Sequence, residues 1–101
     1  MKVEILKENN RTVAKLYGEI DHHTAAAART KIDRMMILER PLDLVIDFEN
    51  ISFMDSSGIG LILGRYKLMK ELGGNLEIFC PQPYIRRVLK LSGIERLVRI
   101  V

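Results

Sequence analysis

The sequence contains one cysteine, no tryptophan, three prolines and no long hydrophobic run. A single cysteine, Cys80, excludes an intramolecular disulfide, and its position after the apolar run 76–79 predicts a buried thiol at a strand end. No stretch approaches the roughly 20 apolar residues that a membrane-spanning helix needs. Residues 1–10 mix Lys and Glu with apolar residues and lack the apolar block of a signal peptide. We therefore expect a cytoplasmic protein that does not associate with membranes.

The sequence has no large excess of charge of one sign, since 16 basic and 13 acidic residues give a formal net charge of +3, and these residues are distributed through the chain. The densest basic cluster, Arg86, Arg87 and Lys90, is interrupted by core-type residues, unlike the basic face of a nucleic-acid-binding protein. A composition of 48% hydrophobic and 29% charged residues is typical of a folded domain. We expect a single domain over residues 1–101, monomeric and without direct contact to nucleic acid.

The apolar pattern predicts strands that alternate with helices. Strands are expected near 3–6, 12–18, 42–48, 76–80 and 97–101, and residues 49–55 are expected to form a polar loop. Helices are expected from the 21–24 region to Pro41, from Ser56 to Gly73, and from Pro83 to Gly93. The order β-β-α-β-α-β-α-β predicts an α/β fold with helices packed on a mixed β-sheet.

The informative segment is 53–60, where Asp55, Ser56 and Ser57 stand between a strand and a helix. In open α/β sheets, functional residues gather beyond the carboxyl ends of the parallel strands, which here selects segments 19–24 and 49–57. One serine is expected to cap the helix, which leaves the other free at the positive end of the helix dipole. A phosphate there would add about 1.5 to 2 negative charges beside Asp55. These residues alone do not distinguish Ser56 from Ser57.

The helix that follows has no charged residue from Gly58 to Gly64, and its three glycines each cost about 1 kcal/mol relative to alanine. They indicate either close packing on the sheet or a smooth surface for a partner protein. Beyond them, Arg65 and residues 67–71 predict an ordinary solvated face.

Enzymatic and metal-binding sites find little support in the motifs. Asp21-His22-His23 lacks further ligands at a suitable spacing for a metal site. Ser56 lacks the G-x-S-x-G context of a hydrolase, and the glycines do not form a phosphate-binding P-loop. We expect no catalytic residue, no metal and no cofactor.

Two segments, Ser-Phe-Met-Asp-Ser-Ser-Gly at 52–58 and Leu-Gly-Arg-Tyr-Lys at 63–67, resemble the signature of the anti-sigma factor antagonists, which share the STAS fold. Gly-Glu-Ile-Asp-His-His-Thr at 18–24 resembles a second motif of that family. The paired histidines and the Gly-Arg-Tyr-Lys run are most similar to the sporulation branch, the antagonists of the anti-sigma F factor.

This resemblance implies that the unmodified protein binds an anti-sigma factor that is also a serine kinase, and so releases the sigma factor. The kinase uses ATP to phosphorylate the first serine after the Met-Asp pair, here Ser56, and the phosphoprotein then dissociates. A metal-dependent phosphatase of the PP2C type restores the hydroxyl. Asp21 matches an aspartate that the family uses in partner binding. We expect the rest of the partner surface to surround the serine, at Asp55, Ser57, Gly58, Ile59 and Gly60.

Two further expectations concern the biological setting and the extent of the fold. The alternative to the sporulation setting is a STAS-type phospho-switch module in a general-stress signalling complex. Members of the sporulation branch usually continue into another helix after the last strand, and that helix is expected to be absent because the sequence stops at Val101.

Overall fold

The computed structural model describes residues 1–101 and confirms the predicted order of strands and helices. The elements are β1 (Lys2–Glu8), β2 (Arg11–Ile20), α1 (His22–Glu39), β3 (Asp43–Met54), α2 (Ser56–Glu71), β4 (Asn75–Phe79), α3 (Pro83–Leu91) and β5 (Arg99–Ile100). A short 3-10 turn at Ile94–Arg96 precedes β5. The α/β class expected from the sequence is therefore confirmed.

The five strands form one mixed sheet in the order β1-β2-β3-β4-β5. β1 is antiparallel to β2, and the remaining neighbours are parallel. Because successive parallel strands advance in one direction, right-handed crossovers carry all three helices to the same face of the sheet. Buried helix side chains, including Ile32, Ile62 and Leu89, share one core cluster with Ile46 and Ile78 of the strands.

The ends of the helices follow the local sequence signals. α1 ends before Pro41 with Arg40 in the left-handed region, at φ 46°. α2 is stopped by Gly73, whose φ of 80° favours glycine. Pro83 occupies the first turn of α3, where its missing N–H removes no helical hydrogen bond.

Cys80 is fully buried just after β4, as predicted, and its burial raises the pKa of the thiol.

The prediction of a polar loop over residues 49–55 is wrong, because β3 continues to Met54. The second half of β2 pairs with this segment, with Gly18 opposite Ile51 and Ile20 opposite Met54. The polar residues Glu49 and Asn50 do not resemble a strand in the sequence. They belong to one because β2, which is distant in sequence, pairs with this part of β3. Only Asp55 separates β3 from α2, so the helix starts directly at the edge of the sheet.

The far end of β3 has no strand partner on its β4 side, since β4 ends at Phe79, opposite Asp47. In place of a strand, the side chain of Gln82 supplies hydrogen-bond donors to this part of β3. Its Nε2 group lies within hydrogen-bond distance of three carbonyl oxygens, those of Phe48, of Glu49 at 2.6 Å and of Ile51 at 2.9 Å, which share its two N–H donors. The loop before α3 thereby satisfies backbone acceptors that the sheet leaves open.

We predict that Gln82→Ala lowers the free energy of unfolding by about 1 to 2 kcal/mol, because buried carbonyls lose their donor. Urea denaturation of the two proteins measures this difference. Gln82→Glu is the matched control, since an ionised carboxylate of similar size cannot donate and should destabilise at least as much. Unchanged denaturation midpoints for both variants would contradict this role of Gln82.

Candidate functional site

The carboxyl ends of β2 and β3 lie side by side and are in register. Ile20 is the pairing partner of Met54, and the N–H of Asp55 donates to the carbonyl of Ile20 at 3.2 Å. Each strand is followed by one aspartate and then by a helix. The two segments singled out in the sequence therefore lie at the same end of the sheet, as predicted, and two helix N-termini emerge next to each other.

Asp21 is the N-cap of α1 and forms a reciprocal capping box with Thr24. Its Oδ1 accepts hydrogen bonds from the N–H groups of His23 and Thr24, both at 2.9 Å. The Thr24 hydroxyl oxygen accepts in return from the N–H of Asp21 at 2.8 Å. These hydrogen bonds, above all that from Thr24, lower the pKa of Asp21. They stabilise its charged form at the positive end of the helix.

Asp55 is the N-cap of α2, where its Oδ1 accepts from the N–H of Ser57 at 2.7 Å. The expectation that a serine caps this helix is therefore wrong, because the preceding aspartate occupies the cap position. Ser56 and Ser57 are the first two helical residues, and both hydroxyls are left out of the cap.

The structure places the two serines in different surroundings. Ser56 is exposed, whereas Ser57 is half-buried and faces the space between α1 and α2. Ile59 is half-buried and Gly60 is exposed on the following turn. Gly58 is buried, and a Cβ atom there would overlap the side chain of Met54. Close packing on the sheet therefore explains Gly58 in particular.

Arg65 is buried, which contradicts the solvated face expected from this part of the sequence. Its residue exposure is 6%, its Nε lies 2.7 Å from Oδ1 of Asp33 in α1, and its Nη1 donates to the carbonyl of Leu61 at 3.3 Å. The Nε and Oδ1 atoms are in ion-pair contact but do not form a regular hydrogen bond. Burial lowers the pKa of Arg65, and the charge of Asp33 opposes this effect.

The sequence does contain a signal for this burial. Leu61, Arg65 and Met69 follow each other at four-residue spacing, and all three are buried on one face of α2. An arginine in such an apolar stripe requires a carboxylate partner, and the partner lies on a different helix.

No group of three or more His, Cys, Asp and Glu side chains is placed to hold a metal ion, and His22 and His23 are exposed. No helix combines the length and the apolar character required to cross a membrane.

Residues 2–101 match the STAS domain family. The chain belongs to the STAS family. It is 37% identical over 102 aligned residues to the anti-sigma F factor antagonist of Paenibacillus polymyxa, an alignment that covers 99% of this chain and 87% of that protein. This STAS protein thus lies among the anti-sigma factor antagonists, which are regulatory proteins rather than enzymes, and the resemblance found in the sequence is confirmed.

Two solved structures of the anti-sigma factor antagonist SpoIIAA support the same relationship. The unphosphorylated form has a TM-score of 0.82 at 31% identity and covers 99% of this chain and 88% of its own. The phosphorylated form has a TM-score of 0.73 at 31% identity, with coverages of 99% and 91%.

We predict that Asp21→Ala lowers the stability of this STAS protein at neutral pH and that the difference shrinks in acid. The pKa of Asp21 is lower in the folded protein than its ordinary value, so its contribution is present above that ordinary value and is lost as the pH falls through the folded value. Urea denaturation at several pH values measures the difference. Asp21→Asn is the control, since asparagine caps well but does not titrate. A difference between Asp21→Ala and the unchanged protein that is constant with pH would contradict this prediction.

Proposed function

We propose that this protein is an anti-anti-sigma factor of the sigma F type. Its unphosphorylated form binds an anti-sigma factor with serine kinase activity and thereby releases the sigma factor. Phosphorylation of Ser56 ends this binding, and a phosphatase of the PP2C type restores it. The observation that carries the proposal is an exposed serine at a helix N-terminus, next to a second helix N-terminus capped by Asp21. An ATP-dependent kinase partner implies action in the cytoplasm.

The position of Ser56 suits a reversible charge switch. A phosphate would add about 1.5 to 2 negative charges where the backbone N–H groups and the dipole of α2 favour an anion. The fold can therefore tolerate the modification. The same charge would lie beside the carboxylates of Asp55 and Asp21, so a partner that fits the neutral hydroxyl would meet a strongly acidic surface.

The proposed partner surface combines exposed and supporting residues. Asp21, Ser57, Ile59 and Gly60 are at least partly accessible around Ser56. Asp55 is also partly accessible but acts as the cap of α2. Gly58 contributes indirectly, because only a residue without a side chain lets α2 lie against Met54.

We predict that incubation with the anti-sigma kinase of the same organism and ATP adds one phosphate to the protein and none to Ser56→Ala. Intact-mass measurement reports the addition. Ser57→Ala is the matched control and should still be labelled, because Ser56 remains. Labelling of Ser56→Ala but not of Ser57→Ala would assign the acceptor to Ser57 instead.

We predict that Ser56→Asp weakens binding to the same kinase by about tenfold or more, because it places a carboxylate in the interface. Titration calorimetry measures the affinity, and an unchanged circular dichroism spectrum verifies the fold. Ser56→Asn has nearly the same size without the charge and should bind more tightly than Ser56→Asp. Equal losses in the two variants would attribute the effect to shape rather than to charge.

A further inference from the structure

A groove runs between the first halves of α1 and α2, with a cavity volume of about 360 Å³. We call it the α1–α2 groove. Its walls are made of small residues, Ala25 and Ala26 on α1 and Gly60 and Gly64 on α2, and it also contains Arg29 and Arg65. Ser57 and His22 line it as well, so it is continuous with the candidate switch site.

Two glycines of this groove are not explained by packing within the protein. A Cβ atom at Gly60 or at Gly64 would meet no atom within 4 Å beyond its chain neighbours and the backbone of its own helix, in contrast to Gly58. Each glycine lowers the stability of the helix by about 1 kcal/mol relative to alanine. No internal contact requires glycine at either position, so the space beside both residues is open to a contact from outside the chain.

The groove is positively charged. Arg65 is buried in it, Arg29 is exposed, and both guanidinium groups are close enough for the charge of Arg29 to lower the pKa of Arg65. Asp33 pairs with Arg65, and Arg29 has no carboxylate partner within 4 Å. An incoming carboxylate would therefore find an exposed, unpaired cation in Arg29 and would reduce the repulsion between Arg29 and Arg65.

We infer that the α1–α2 groove receives an acidic side chain of the anti-sigma partner, with Arg29 as the residue that selects it. The inference rests on the proposed function, because it needs a partner that already contacts the surface around Ser56. Charge complementarity and continuity with that surface identify the occupant. The small walls then allow the partner backbone to approach closely enough for its carboxylate to reach the guanidinium group of Arg29.

The first test reverses the charge of the groove. Arg29→Glu should weaken binding to the anti-sigma kinase by about tenfold or more, whereas Arg34→Glu, the same change at an exposed position of α1 outside the groove, should bind like the unchanged protein. Calorimetric titration at low and high salt should also show a weaker salt dependence for Arg29→Gln than for the unchanged protein. Equal affinities for the Arg29→Glu and Arg34→Glu variants would overturn the inference.

The second test fills the groove without changing charge. Gly64→Ala and Gly64→Leu both replace glycine by good helix formers, and each should raise Tm, by roughly 4 °C for the alanine variant. Only leucine places a large side chain in the groove, so it should weaken binding far more than alanine does. If both variants bind like the unchanged protein, nothing enters the groove.

The outcomes separate this inference from the proposed function. If Ser56→Asp weakens binding and Arg29→Glu does not, the switch stands and the acidic contact is wrong. If the unchanged protein does not bind the kinase and gains no phosphate, the proposed function fails first and the inference fails with it.

Sodium acetate serves as a free carboxylate probe. It should compete with the kinase for the unchanged protein but not for the Arg29→Glu variant, because the glutamate repels acetate. If acetate weakens kinase binding equally for both proteins, the groove is not the site of the acidic contact.

Discussion

The register between β2 and β3 is the constraint on which the site depends. Ile20 and Met54 end their strands at the same level, and the N–H of Asp55 is bonded to the carbonyl of Ile20. Both helices therefore begin at adjacent points of one sheet edge. A slip of one residue would turn the side chains of a strand to the opposite face and expose its core residues, so the buried core enforces the alignment. The geometry of the surface is thus set by packing that lies beneath it.

At the start of α2, capping and hydroxyl exposure are carried out by two consecutive residues. A serine that caps a helix has its hydroxyl engaged by backbone N–H groups, which would make that hydroxyl a poor candidate for modification. Here Asp55 supplies the cap, and Ser56 keeps its hydroxyl exposed on the first turn. The aspartate holds the helix start in place, and the proposed phosphorylation of Ser56 would leave this cap intact. Asp21 has the same structural role on α1, so its proposed effect on partner binding has to be separated from its effect on folding.

Features encoded by neighbouring residues were predictable from the sequence, and features that depend on distant partners were not. The end of α1 before Pro41, the stop at Gly73 and the buried Cys80 each follow from a local signal. The end of β3 was missed because its polar residues are held in a strand by β2. The four-residue spacing of Arg65 from Leu61 and Met69 indicates its burial, but its carboxylate partner Asp33 lies on another helix and is not visible in the local sequence. Asp55, Ser56 and Ser57 are all residue types that cap helices well, and the sequence alone does not show which of them occupies the cap position.

The ion pair between Asp33 and Arg65 joins α1 and α2 at a second point, away from the sheet edge where both helices begin. At the rise of about 1.5 Å per residue of an α-helix, the pair lies about 18 Å along α1 from Asp21 and about 15 Å along α2 from Asp55. Helices joined only at their starts could pivot about the sheet edge, and apolar packing alone tolerates small changes in crossing angle. An ion pair further along, between buried Arg65 and half-buried Asp33, limits that freedom, although such a pair adds little net stability. The two helix N-termini are therefore fixed relative to each other both by the strand register and by one ion pair, and a partner meets a preformed surface.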